Sequence, residues 1–261
     1  MPHLHHGASP LPVAPALAVL LVAFVYLRGW VVQRSSGSNA IRWRHAVSFF
    51  VGLFLIWIAV GSPLAVLDHE WLTAHMVQHL LLMTLGPPFV WLGAPAAVRR
   101  WRSFSQPTVG WLIATGVLVG WHVPVVFTLG MQSPAWHAVE RASFLIAGLL
   151  FWLPVIGAWS TPPGEARWGI VVYLFLATLP CDILSGFLVF SERVAYPIYF
   201  STARHPGMSV LADQECAGAV MWTAVTIVFL CVGTILTARW LTAPCGGAGA
   251  LRRQPRVMEA A

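Results

Sequence analysis

Long apolar runs, separated by short polar or proline-bearing stretches, set the pattern of this chain. Read at a helical period, with Pro, Gly and Arg as stops, they predict seven helices at roughly 13–32, 43–61, 70–93, 108–128, 136–158, 167–190 and 213–240. Each is near or above the ~20 residues that cross a bilayer at 1.5 Å per residue. The connections are short, so helices adjacent in sequence are expected to be neighbours in space. No internal repeat appears, and no linker is long enough to separate domains. The expected fold is all-α: a polytopic membrane helix bundle of seven transmembrane helices, with residues 1–241 forming one domain. Residues 242–261, rich in Gly, Arg and Pro, read as a disordered basic tail.

Composition sharpens this picture. Hydrophobic residues make up 58% of the chain, charged ones 9%, and the mean hydropathy is +0.74, which excludes an ordinary soluble domain. The net charge of +6 comes from arginine without any lysine. In a membrane chain such an excess reports orientation, and no nucleic-acid partner is expected. Arg28, Arg34, Arg42, Arg44, Arg99, Arg100, Arg102, Arg167, Arg239, Arg252, Arg253 and Arg256 fall on one side, and only Arg141, Arg193 and Arg204 on the other. The amino terminus is therefore expected outside and the carboxyl terminus in the cytoplasm. The first basic residue, Arg28, follows the first apolar run, so that run reads as an uncleaved helix. Four cysteines without a CxxC give neither a disulfide framework nor zinc-finger spacing.

Within this pattern, AHMVQHLLLMTLGPPFVWLGAP (74–95) carries the most chemistry. His75 and His79 lie one helical turn apart and share a face, and the Pro87-Pro88 pair is expected to stop the helix. An imidazole in an apolar segment costs free energy unless it meets a metal ion, a carboxylate or a backbone carbonyl. In the expected topology His69, His75, His79, His122 and His137 gather toward the outer end, as do Cys181, Asp182, Asp213, Gln214, Glu215 and Cys216. Met76, Met131, Met208 and Met221 lean the same way. His3, His5, His6 and His205 also lie outside, and only His45 falls on the inner side. Metal ligation by His75, His79, His122, His137, Asp182, Asp213 and Cys216 is the functional expectation.

Each of these residues also has a plainer role. The His75/His79 pair can bond backbone carbonyls within the bundle, and His122 can satisfy the Gly120 carbonyl that Pro124 frees. His137 can cap its helix. Asp182 can form a salt bridge to Arg141. Cys181 and Cys216 can serve as small apolar residues or pair as a disulfide, and the methionines can simply pack.

Four stretches together resemble the CtaG family, the membrane-embedded assembly factors of caa3-type cytochrome c oxidase. They are residues 74–95, the WHVP at 121–124, HAVERASFLIAGLLFWLPVIG (137–157) and DQECAGAVMW (213–222). Their order and spacing agree, and the likeness covers helices three to seven. The resemblance implies a multi-pass protein of the bacterial inner membrane that helps mature a haem-copper oxidase by delivering copper. An oxidase subunit is then the implied partner, and a periplasmic copper chaperone a candidate donor. By position, the family's histidine pair falls on His75 and His79, its WHxP histidine on His122 and its helix-five histidine on His137. The Asp-Gln that opens the last helix falls on Asp213 and Gln214. Many members of the family have a second histidine one turn after His137, where this chain has Arg141, a cation that repels a metal ion and cannot ligate it, so either helix five contributes a single residue or the site differs here.

Three functions follow from the chemistry. Imidazole with thioether or thiolate suits Cu(I), and imidazole with carboxylate suits Cu(II) or zinc, as a copper-handling factor requires. Histidines at matched depth on neighbouring helices also suit a haem, which a Soret band would reveal. Asp182 beside Pro180 on a broken helix would suit a metal- or proton-linked transporter. No nucleophile, base and orienting group recur together, so no enzyme is expected.

Overall fold

The computed structural model describes residues 13–35, 42–101, 106–159, 168–202 and 207–242, and the regular structure among them is entirely helical. The expected tail beyond 242, together with Cys245, His3, His5, His6 and His205, lies outside the described residues. In chain order the helices are α1 (Val13–Ser35), α2 (Trp43–Gly61), the short α3 (Leu64–Leu67), α4 (Leu72–His79), α5 (Gly86–Gly93) and α6 (Pro95–Trp101). They continue with α7 (Pro107–His122), α8 (Pro124–Gln132), α9 (Pro134–Trp159), α10 (Trp168–Phe190) and α11 (Val210–Leu241). Six stretches are long and apolar enough to cross a membrane: 14–35, α2, the Leu72–Gly93 stretch that joins α4 to α5, α9, α10 and α11. The bent pair α7–α8 makes a seventh if it is counted as one span.

Two of the expected helices behave differently from the sequence reading, both because of proline. The Pro87-Pro88 pair does not stop the third span. Residues Leu80–Leu85 form a π-helical turn, and the chain re-enters an α-helix at Gly86 with both prolines in its first turn. There a missing N–H costs little, because the wider turn has already shifted the hydrogen-bond register. The run expected at 108–128 instead breaks at Val123, where the chain bends by 78°. Pro124 forces Val123 to an extended conformation (φ −64°, ψ 125°), which ends α7 on His122. The Gly120 carbonyl freed by Pro124 is taken by the Val123 N–H at 3.3 Å, not by the His122 ring.

The buried middle of the bundle is α9 against the α4–π–α5 stretch. Gly148 on α9 lies so close to the π turn that a Cβ there would sit 2.6 Å from the Met83 carbonyl oxygen and 2.7 Å from Met83 Cα. The two backbones are in contact, as small residues permit between membrane helices. Trp152, one turn further along α9, donates its indole N–H to the same Met83 carbonyl at 3.1 Å, so the π turn is braced from α9. A second close approach joins α5 to α2, where a Cβ on Gly93 would meet Phe49 Cβ at 2.4 Å. Gly148→Ala has no flexible neighbour to push aside, so it should cost about 1–3 kcal/mol by overpacking. A lowered unfolding midpoint in detergent would show this, and an unchanged midpoint would contradict the close contact. By contrast α1 is peripheral, with Tyr26 stacked on Phe49 at 3.8 Å and bonded to the Gly93 carbonyl at 2.8 Å.

Candidate metal centre

The position of the histidine pair begins with a cap supplied from another helix. Trp71 precedes α4 and offers no side-chain acceptor, so the first N–H groups of that helix need one from elsewhere. Asp213, in the first turn of α11, provides it: Oδ2 accepts from Leu72 N–H at 2.8 Å, and Oδ1 from Thr73 N–H at 3.1 Å and from the Thr73 hydroxyl at 2.7 Å. A carboxylate at a helix N-terminus also meets the positive end of the helix dipole. The neighbouring Gln214 fastens the loop before α11, accepting from Ala195 N–H at 2.7 Å and donating to the Leu188 and Arg193 carbonyls at 3.2 Å each. Asp213, expected as a ligand, is thus placed as a buried positioning residue that fixes where α4 starts.

One turn into α4, His75 and His79 face α9 and meet Glu140. Their rings are 4.3 Å apart, and each presents Nε2 to the same carboxylate oxygen, Oε1, at 3.2 and 3.3 Å. All three side chains are essentially buried. These spacings are longer than the ~2.7–2.9 Å of a charge-assisted hydrogen bond. They match the ~3.3 Å edge of a tetrahedron with metal–ligand bonds of about 2.0–2.1 Å. His75 Nδ1, both ring nitrogens of His79 and Glu140 Oε2 make no hydrogen bond, although they are buried. Buried polar atoms are almost always paired, so four orphans in one cluster call for a partner such as an ion. His79 is held flat against Phe144 at 3.7 Å, which fixes its orientation. Glu140 has room because Gly130 of α8 lies opposite: a Cβ there would fall 2.9 Å from Oε2.

His122 lies beside this group, with its ring 5.9 Å from that of His79. Its Nδ1–H donates to the Leu118 carbonyl at 2.7 Å, which leaves Nε2 as the lone-pair nitrogen. That nitrogen faces Met76 Sδ at 3.3 Å, so two electron-pair donors look at each other, an arrangement suited to a soft cation. Beneath His79 and His122 lies a cavity of about 50 Å³, which Met83, Cys181 and Met221 also line. His137 is near but turned elsewhere. Its Nε2 lies 3.1 Å from Asp68 Oδ2 in the loop before α4, and its ring stacks 5.8 Å from that of His75.

The remaining expected ligands do not join. Asp182 lines a groove of about 640 Å³ between α10 and α11 with Thr178, Thr226 and Gly233, and it has no salt bridge to Arg141. Arg141 instead pairs with Asp68 Oδ2 at 2.5 Å. Cys216 is half-buried, and both it and Cys181 are free thiols. Cys181 packs in the core, 3.7 Å from the Ser185 hydroxyl. His45 contacts the Leu92 carbonyl at 3.0 Å. Glu140 and Asp68 are the two residues that the sequence reading passed over. Asp68 lies outside the spans, and burial alone would raise its pKa. The neighbouring His137 ring and the Arg141 guanidinium outweigh that and hold the carboxyl well below its usual range, so it stays ionised.

Taken together, the long apolar helices and this buried cluster of imidazole and carboxylate describe a multi-pass membrane protein built around a metal-capable centre. Residues 24–243 match the family described as cytochrome c oxidase caa3 assembly factor (Caa3_CtaG), and the chain belongs to that family. Among curated relatives, it is 24% identical over 253 residues to an uncharacterized protein of Mycobacterium leprae (strain TN), a match covering 85% of this chain and 38% of the relative. It is 22% identical over 258 residues to an uncharacterized protein of Mycobacterium bovis, with the same coverage. The chain thus spans well under half the length of the curated relatives it matches. No solved structure matches it.

Proposed function

We propose that this protein is a copper-handling assembly factor for a haem-copper oxidase, holding one copper ion on His75, His79 and Glu140. The observation that carries the reading is the convergence of two Nε2 atoms on Glu140 Oε1 at 3.2 and 3.3 Å, of which only the His75 contact is a hydrogen bond, with both His79 nitrogens and Glu140 Oε2 left unmatched in a group closed to solvent. The family supplies the context of oxidase assembly. Two imidazoles and a carboxylate suit Cu(II), while His122 and Met76 alongside offer a nitrogen–thioether pair for Cu(I). The arginine bias supports an outer location for this end of the bundle in the bacterial inner membrane, where the ion is received from a soluble carrier and passed to an oxidase subunit. A haem fits poorly here, since rings 4.3 Å apart leave no space for a porphyrin and the adjoining cavity is only about 50 Å³.

Copper analysis and X-ray absorption on purified protein test this reading. About one tightly held copper per chain is expected, coordinated by two imidazoles, and the His75→Ala/His79→Ala variant should lose that tightly held ion. Equal copper in both proteins would remove the assignment. Sulfur in the first shell would instead place the ion on Met76.

A further inference from the structure

The imidazoles do not stop at His75. Beyond it the His137 ring stacks at 5.8 Å, and the His69 ring meets the edge of His137 at 4.8 Å. His69 side-chain exposure is 49%, whereas Asp68 is fully buried and His137 nearly so. The His69 Nε2 lies 3.9 Å from Asp68 Oδ1, the His137 Nε2 lies 3.1 Å from Oδ2, and one donor atom from each of the three residues falls within 4.8 Å of the others. Asp68 Oδ1 and His137 Nε2 are buried without a hydrogen bond. A structural ion pair between Asp68 and Arg141 accounts for Oδ2 but leaves Oδ1 and the facing His69 unexplained.

We propose that Asp68, His69 and His137 form a second cation site at the surface, taking a divalent transition-metal ion such as Cu(II) or Zn(II) on its way to the buried centre. The direction of transfer rests on the copper-handling reading above; the site itself does not. Its charge explains why it would bind more weakly than the inner one. The Arg141 guanidinium, held also by the Gln78 side-chain oxygen and the Ala65 carbonyl at 3.2 Å each, already balances the Asp68 carboxylate. No guanidinium faces Glu140 among the described residues, so the inner carboxylate offers a cation its full attraction. His69, His137, His75 and His79 then form a line from solvent to the interior in ring-to-ring steps of 4.8, 5.8 and 4.3 Å. An ion leaving one imidazole has the next within reach, and affinity rises inward. The loop that carries Asp68 and His69 is held in place by the Tyr199 hydroxyl, which donates to the Asp68 carbonyl at 2.9 Å.

Zinc titration of chelator-stripped protein in detergent, with metal measured after desalting and affinity by competition with a chromophoric chelator, tests the proposal. The unmodified protein should bind two ions per chain, one tighter than the other. His69→Ala changes a half-exposed loop residue and so leaves folding alone. It should weaken the looser site by ~10-fold or more, since even a supporting partner of a ligand is worth 10–100-fold. His69→Cys, with a thiolate for zinc, should restore binding. In the His75→Ala/His79→Ala variant only the looser, His69-dependent ion should remain. If that variant keeps both ions while His69→Ala still loses one, the buried-centre reading fails and the surface site stands. A single ion untouched by His69→Ala, or two ions both indifferent to it, overturns the proposal.

Discussion

Glu140→Gln should strip the tightly held copper from the inner centre while leaving the metal-free protein as stable as before, or slightly more so. The amide keeps the volume of the side chain, so the tight fit against Gly130 is undisturbed. What disappears is the one anionic ligand of the proposed inner centre. Losing a supporting partner of a ligand already costs 10–100-fold in metal affinity, so losing the carboxylate itself should cost about 100-fold or more. The stability half of the prediction separates two roles. If Glu140 were simply the counter-ion that holds two buried histidines together, its neutralisation would destabilise the bundle by roughly 3–5 kcal/mol. If its Oε2 and the facing ring nitrogens are waiting for a cation, a neutral amide at that spot relieves a desolvated carboxylate instead. Copper content and the unfolding midpoint of stripped protein, measured on the same preparation, distinguish the cases. Asp182→Asn is the matching control for copper content, because Asp182 faces the α10–α11 groove and its neutralisation should leave the copper in place.

The apolar runs placed most of the spans to within a few residues, because in hydrocarbon a helix is the economical way to satisfy its own backbone. The i, i+4 spacing of His75 and His79 likewise placed both rings on one face without help from tertiary structure. Two kinds of information were missing. The first was what proline does in context: Pro87-Pro88 continues a helix because a π turn precedes it, whereas Pro124 breaks one because α7 ends in regular geometry. The second was which way neighbouring residues face across helices. Glu140 and Arg141 are adjacent in sequence, so they read as a pair that compensates itself. They are about 100° apart around α9, and one meets His75 and His79 while the other meets Asp68. A signal was present, since His137, Glu140 and Phe144 recur at i, i+3 and i+7 and so share a helix face. Asp182 shows the converse. A membrane carboxylate near a proline reads as functional, yet only the packing of α10 on α11 shows that it points away from the histidines.

Arg141→Leu should destabilise the protein by about 3–5 kcal/mol, the usual cost of removing one partner from a buried ion pair. Asp68 is fully buried, and its carboxyl is held ionised largely by what surrounds it. Without the guanidinium it keeps only the His137 ring and the distant His69 as counter-groups. The reverse substitution is milder. Asp68→Asn leaves Arg141 with the Gln78 side chain and the Ala65 carbonyl, and at 14% exposure the guanidinium can also reach solvent. Adding Asp68→Asn to Arg141→Leu should therefore recover most of the stability, because the destabilising element is the stranded charge and not a missing contact. Unfolding midpoints for the four proteins of this cycle give the coupling directly. A double variant no more stable than Arg141→Leu alone would mean that Arg141 matters through packing of its alkyl stem. The same cycle bears on a histidine at this position, which would replace a fixed counter-charge by a side chain able to ligate a metal ion. Arg141→His should accordingly lie between the parent and Arg141→Leu in stability while binding zinc at the surface site more tightly than the parent.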